Sequence, residues 1–190
     1  MKQKLLLLIS FALVSISLTA QDDSDQKFSV EASYPTSLND GFLSDGILDI
    51  GLKYRFLDLQ IVKIGVGING SLFTENDEDN AFGSPSKTKN YFIQPKIFGE
   101  VSIPGLEKLR PSVGLGYSFV NSKIEGTSSN FGDFDYDVDN KGFNFVLGTS
   151  YDITKSFFAQ IQYDVIFLED AKEYKINEFS TLKLGVGFRF

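Results

Sequence analysis

The chain has 190 residues, with 25 acidic against 18 basic side chains and a net charge of -7, and it contains neither histidine nor cysteine. Without cysteine there is no disulfide, thiolate chemistry or haem attachment. Without histidine the commonest general base and the commonest transition-metal ligand are gone, and the acidic balance argues against binding nucleic acid through its phosphates.

At the N-terminus, Lys2 and Lys4 precede an apolar run over residues 5–18, and Ser17-Leu18-Thr19-Ala20 closes it with small residues. This is the layout of a signal peptide cleaved after Ala20. The run is short of the roughly 20 apolar residues that span a membrane as a helix. No later apolar run is long enough for such a helix, and no helical period stands out.

Eight alternating segments follow instead, at 27–34, 47–56, 61–73, 91–103, 111–121, 142–153, 157–168 and 182–190. Each puts large apolar residues on every second position: Phe28, Val30, Ala32 and Tyr34 in the first, Leu184, Val186, Phe188 and Phe190 in the last. That period is a β-strand with two unlike faces. Connections 57–60, 104–109 and 154–156 are short, whereas 35–46, 74–90, 122–141 and 169–179 are long. Short and long alternate, as they do when strands run up and down a closed barrel with all tight turns at one end. Pro95 cannot donate to a ladder, so a bulge or local break is expected in the fourth strand.

The polar face carries Gly51, Gly65, Gly67, Gly114, Gly116, Gly148, Gly185 and Gly187. Glycine weakens a strand and has no use on a wet exterior, but it relieves a crowded interior. The bulky apolar face therefore points outward, and only lipid can cover so large an apolar belt. Aromatic residues gather near the strand ends as two girdles. Phe28, Tyr54, Phe56, Tyr151, Phe157, Phe188 and Phe190 fall at the short-turn end. Tyr34, Phe73, Tyr91, Phe119, Phe143, Phe167 and Phe179 fall at the long-loop end.

The inward face then holds charges of both signs: Glu31, Asp49, Glu100, Asp152 and Asp164 against Lys53, Arg55, Lys63, Lys96, Lys183 and Arg189, joined by Gln94, Gln160 and Gln162. Eight strands leave a lumen that side chains just fill, and unpaired buried charge is costly. A plug of ion pairs is expected rather than an open pore. In "GDFDYDVDNKG", residues 132–142, Asp133, Asp135, Asp137 and Asp139 are candidate divalent-cation ligands. Counted from Asp133, however, the sixth and twelfth positions are Val138 and Asn144 rather than the Gly and Glu of a calcium loop, so the wet face of a projecting strand is the favoured reading. Residues 74–89 form a second acidic stretch, whose plain reading is solvated loop surface and whose functional reading is cation bridging of lipopolysaccharide phosphates or contact with an outside partner.

With its leader, its eight amphipathic strands and its terminal Gly-Val-Gly-Phe-Arg-Phe, the chain resembles the small eight-stranded outer-membrane β-barrels of Gram-negative bacteria, the OmpA-barrel and OmpX-like group with its porin-like relatives. The resemblance covers residues 21–190. It implies an all-β, antiparallel, up-and-down transmembrane barrel in the outer membrane, with lipid and lipopolysaccharide as surroundings and a monomeric state. It also implies transient recognition of Leu184, Val186, Phe188 and Phe190 by the outer-membrane assembly machinery. The strand pattern runs to Phe190, so the peptidoglycan-binding role of the OmpA pattern is not implied. Related barrels that act on lipid A resemble serine hydrolases in using histidine, which this chain lacks. The expected role is thus a non-enzymatic envelope or surface-interaction protein without cofactor. A narrow channel for small solutes is the alternative, and a soluble lipocalin-like binder the less favoured one.

Overall fold

The computed structural model describes residues 26–38, 46–77, 86–128, 132–169 and 178–190. The expected leader and its cleavage point lie outside these. Eight strands form the architecture: β1 (Phe28–Ser37), β2 (Gly46–Asp58), β3 (Val62–Asp77), β4 (Ser86–Val101), β5 (Leu109–Ser128), β6 (Gly132–Asp152), β7 (Phe157–Leu168) and β8 (Glu178–Arg189). Each pairs antiparallel with its sequence neighbours, and β8 returns to β1 with Ser29 opposite Arg189 and Ser37 opposite Thr181, closing the barrel. Closure leaves the transmembrane wall without a free edge, which a lipid-exposed sheet requires.

The pleat sorts the residues as the alternation predicts. Along β2, Asp49, Gly51, Lys53 and Arg55 are buried while Leu48, Ile50, Leu52, Tyr54 and Phe56 are exposed. The same holds around the ring, where Leu115 and Phe143 each expose 65% of their surface. An outer surface of that kind is stable only against hydrocarbon.

Two sequence expectations change. The 122–141 segment is not a long loop. β5 and β6 run on through it in one unbroken register, from Leu109 opposite Tyr151 to Ser128 opposite Gly132, as a projecting hairpin. β3 and β4 extend likewise, with Glu75 opposite Thr88 and Asp77 opposite Ser86. The long-loop side keeps its greater reach but spends it on strand. Phe73 and Phe179 also leave the outer girdle: both are buried, at odd positions that share the parity of inward Asn69 and Lys183. Position near a strand end decided their assignment in the sequence, whereas pleat parity decides it in the fold. Tyr34, Tyr91, Phe119, Phe143 and Phe167 do face outward at that end.

At Pro95 the ladder breaks without a bulge. Pairs to β5 resume on the same register, Ile93 with Phe119 and Lys96 with Gly116, while the residues between them go unpaired. The bulges of this wall lie in β2, between Gly46 and Leu48 and between Arg55 and Leu57.

Candidate functional site

The feature with chemistry is the lumen, and it is built in tiers. At the turn end, three guanidinium groups meet two carboxylates. Arg55 binds Glu100 through Nε and Nη2 at 3.3 and 2.9 Å, and its Nη1 donates to Ser29 Oγ at 3.3 Å. Arg189 pairs with Asp152, donates to Ser150 Oγ at 2.7 Å, and lies 3.8 Å from Glu100. Arg110 donates from Nε to Asp152 at 2.7 Å and approaches Glu100 at 3.7 Å. Two inward phenylalanines pack among these cations: the Arg189 guanidinium sits 4.0 Å above the Phe158 ring, and Lys53 and Arg55 flank Phe98. Such contacts add attraction in a desolvated setting.

The middle tier centres on Lys183, which is 2% exposed and reaches Asp49 at 2.8 Å, Asp164 at 2.9 Å and Gln94 Oε1 at 2.8 Å. Asp49 also accepts from Asn69 Nδ2 at 2.7 Å and from Ser71 Oγ. Glu31 takes Lys53 at 2.8 Å and the Gln160 amide at 3.2 Å. Gln162 links the remaining members, donating to Asp164 at 2.7 Å and accepting from Lys96 Nζ at 3.3 Å. Each buried charge thus has a polar partner, the condition under which such a cluster is tolerated.

At the loop end the lumen turns apolar. Phe73, Phe92 and Phe179 pack with Val120 and Ile166, with Leu168 against them. Ring centroids lie 5.2 Å apart for Phe73–Phe92 and 5.5 Å for Phe92–Phe179, within the usual range for aromatic pairs.

The inward glycines make room for this filling. Gly65 and Gly114 lie opposite Phe98 on its two neighbouring strands, and Gly187 lies opposite Phe158. A Cβ at Gly65 or Gly187 would strike the phenylalanine ring. The outward Gly70 and Gly99, by contrast, have no atom nearer than 3.9 and 4.0 Å.

Residues 6–190 match the model of a family described as outer membrane protein beta-barrel domain. The chain belongs to that family. Among solved structures, this outer-membrane barrel resembles Ail, the attachment invasion locus protein of Yersinia pestis, at 15% identity and a TM-score of 0.57, over 86% of this chain and 97% of that one. It resembles Neisserial surface protein A at 14% identity and 0.56, over 87% and 96%. It resembles a major outer membrane protein from Thermus thermophilus at 14% identity and 0.67, over 86% and 99%. At such identities the likeness speaks for the fold. No curated protein matches the chain.

Within this barrel, Glu31, Asp49, Lys53, Arg55, Lys96, Glu100, Asp152, Asp164, Lys183 and Arg189 all lie buried in the lumen. Lys63 does not join them; it pairs at 3.1 Å with the exposed Asp58, which stands opposite it at the turn end. The sequence reading omitted Arg110, which ties Glu100 to Asp152, and it omitted the inward Phe92, Phe98 and Phe158. Strict parity would have found all three phenylalanines, since each sits beside an outward apolar residue and opposite an inward Gly or Ser. Asp133, Asp135, Asp137 and Asp139 line one face of the projecting β6. Asn121 Nδ2 donates to Asp137 at 2.5 Å and Asp139 at 2.9 Å, and Thr127 donates to Asp133 at 2.8 Å. Among the described residues no group of three or more carboxylates gathers as a metal site.

Proposed function

We propose that the protein is a structural, non-enzymatic barrel of the outer membrane, closed to solutes and displaying the β3–β6 projection outside. The observation that supports this reading is the tiering of the inward side chains: an ionic floor, a middle of ion pairs and amides, and an apolar top. A passing solute would have to break several buried ion pairs in series, each costing several kcal/mol. The residues lining the tiers are tied as ion pairs, amides and aromatic packing, and the Ser71 hydroxyl is held between Asp49 and Lys183 inside that network. Outer-leaflet lipid and lipopolysaccharide form the surroundings. The outward face of Leu184, Val186, Phe188 and Phe190 fits the role of signal to the assembly machinery.

The test is conductance of the purified, heat-modifiable protein in planar bilayers. The native chain should give no steps above background. A variant with Phe73→Ala, Phe92→Ala and Lys183→Ala should give small, frequent ones. Steady conductance from the native chain would instead establish the narrow channel and overturn this proposal.

A further inference from the structure

The tight-turn end of the barrel is apolar on one side and polar on the other. The β6–β7 turn is built of Thr154, Lys155 and Ser156, with Thr154 Oγ1 accepting from the Phe157 N–H at 2.9 Å and Ser156 Oγ accepting from Gln26 at 3.3 Å. The β2–β3 and β4–β5 turns instead present Leu59, Ile61 and Leu106, which expose 55, 55 and 56% of their surface. Contiguous apolar surface of this kind marks a face that something covers.

The bulge near the end of β2 shows what covers it. Arg55 lies opposite Gly65 and Leu57 opposite Ile64, so Phe56 is the extra residue. Leu57 therefore shares the outward face of Ile64 and Val66, directly after the outward Phe56. Strict alternation would have turned Leu57 into the lumen and Asp58 toward lipid. With the bulge, Asp58 meets Lys63 at 3.1 Å on the rim and accepts the Gln60 N–H at 2.9 Å. The turn then joins its neighbour, Ser102 N donating to the Ile61 carbonyl at 2.7 Å. In that second turn Leu106 and Leu109 line a cleft of about 420 Å³ together with Tyr151, the outward girdle residue opposite Leu109, and with Gly105, Glu107 and Lys108. Both turns thus continue the lipid-facing wall. Their charges cancel, Asp58 against Lys63 and Glu107 against Lys108, so no net charge has to leave bulk water with them.

We propose that the β2–β3 and β4–β5 turns are immersed in the inner leaflet, with Leu57, Leu59, Ile61 and Leu106 at the boundary between headgroups and acyl chains, while the β6–β7 turn stays in water. Segments that pair apolar with charged residues settle at that boundary, and the stem of Lys108 lets its ammonium stay among the headgroups. The barrel is then held more deeply on the side of β2 to β5 than on the side of β6 and β7. This rests on the lipid-facing reading of the wall and not on closure of the lumen. A conducting barrel would leave it standing, so the conductance experiment and the one below fail separately.

The chain has no tryptophan, so one introduced tryptophan reports its own depth. Leu59→Trp, Leu106→Trp and Lys155→Trp are placed singly in the full-length protein, checked for heat-modifiable mobility, and reconstituted in nanodiscs, where both faces meet the buffer. Fluorescence is quenched from the bilayer by lipids brominated on the upper acyl chain, and from water by iodide. The preference of tryptophan itself for the interface acts equally at all three sites, so their differences carry the result. At positions 59 and 106 the brominated lipid should quench about threefold more than at 155, with iodide showing the reverse order. The two leucine positions report separately, so either suffices if the other variant fails to fold. Equal access of iodide to all three sites overturns the proposal and leaves the apolar turns to a soluble partner. Equal quenching of all three by the lipid overturns it as well, because the turns would then not differ in depth.

Discussion

The two halves of β6 obey opposite rules on one unbroken strand. Over residues 142–152 the odd positions Phe143, Phe145, Leu147 and Tyr151 are apolar and face lipid, with Thr149 the exception, while the even positions Asn144, Ser150 and Asp152 are polar and face the lumen. Over 132–140 the odd positions are Asp133, Asp135, Asp137 and Asp139, and the even ones are Phe134, Tyr136 and Val138. The register with β5 never slips between the halves. The pleat is therefore constant and the surroundings of its outward face have changed, from hydrocarbon to water. Lys141, half-exposed and 4.0 Å from Glu169 just past β7, marks the changeover. A strand's polarity pattern reports what lies beside it at each depth.

That contrast can be tested at three depths. The largest effect belongs to the lumen. Lys183→Met leaves Asp49 and Asp164 facing each other without their cation, and should cost roughly 3–5 kcal/mol. Urea unfolding from lipid vesicles measures it. Adding Asp164→Asn to the same chain should recover part of the loss. A Lys183→Met barrel as stable as the parent would show that water compensates the carboxylates, and that the lumen is wetter than its ion pairs suggest.

Next comes the lipid face. Leu147→Arg places a charge in the hydrocarbon belt and should cost about 2–4 kcal/mol if that position is near the midplane, less toward either interface. Its dependence on depth makes it a ruler: the same arginine walked along positions 143, 145, 147 and 151 should cost most in the middle. A flat series would break the assignment of this face to lipid.

The glycines give a smaller effect. Gly187→Ala drives a methyl into the Phe158 ring beneath Arg189, and overpacking of this kind should cost about 1–3 kcal/mol. Gly99→Ala, facing outward with its nearest neighbour 4.0 Å away, should be near neutral or mildly favourable in the same urea assay. Equal effects at the two sites would mean that inward crowding is not what selects glycine.

These sites also show what the sequence made legible. Strand number and facing follow from period-two alternation, because a closed wall leaves each residue only two directions. Lys63 keeps the inward parity but stands at the start of β3 opposite Asp58, the last residue of β2, and pairs there at the rim rather than in the lumen. Phe92, Phe98 and Phe158 were hidden for another reason: hydrophobicity says that a residue avoids water, and this lumen, like the lipid, satisfies that demand. Pleat parity distinguishes the two in sequence, and the strand pairing adds the small residue opposite each ring. Arg110 needed the third dimension outright, since its partners stand on β4 and β6 on either side.

The smallest expected effect lies on the projection. Asp135 accepts no hydrogen bond from the described residues, and its neighbours on that face already satisfy one another through Asn121 and Thr127. Asp135→Asn should stay within about 0.5 kcal/mol of the parent, as exposed substitutions away from special features do. The informative partner is Asp135→Phe, which writes the lower half's pattern onto the upper half. If water bathes this face, the variant should fold with nearly the same stability but self-associate in detergent, since it exposes an aromatic on a sheet that charge otherwise protects. If instead the variant is monomeric and clearly stabilised in bilayers but not in detergent, lipid reaches this residue and the membrane boundary must move outward past Lys141. The mutation therefore locates the water–lipid boundary from the side opposite to the arginine series.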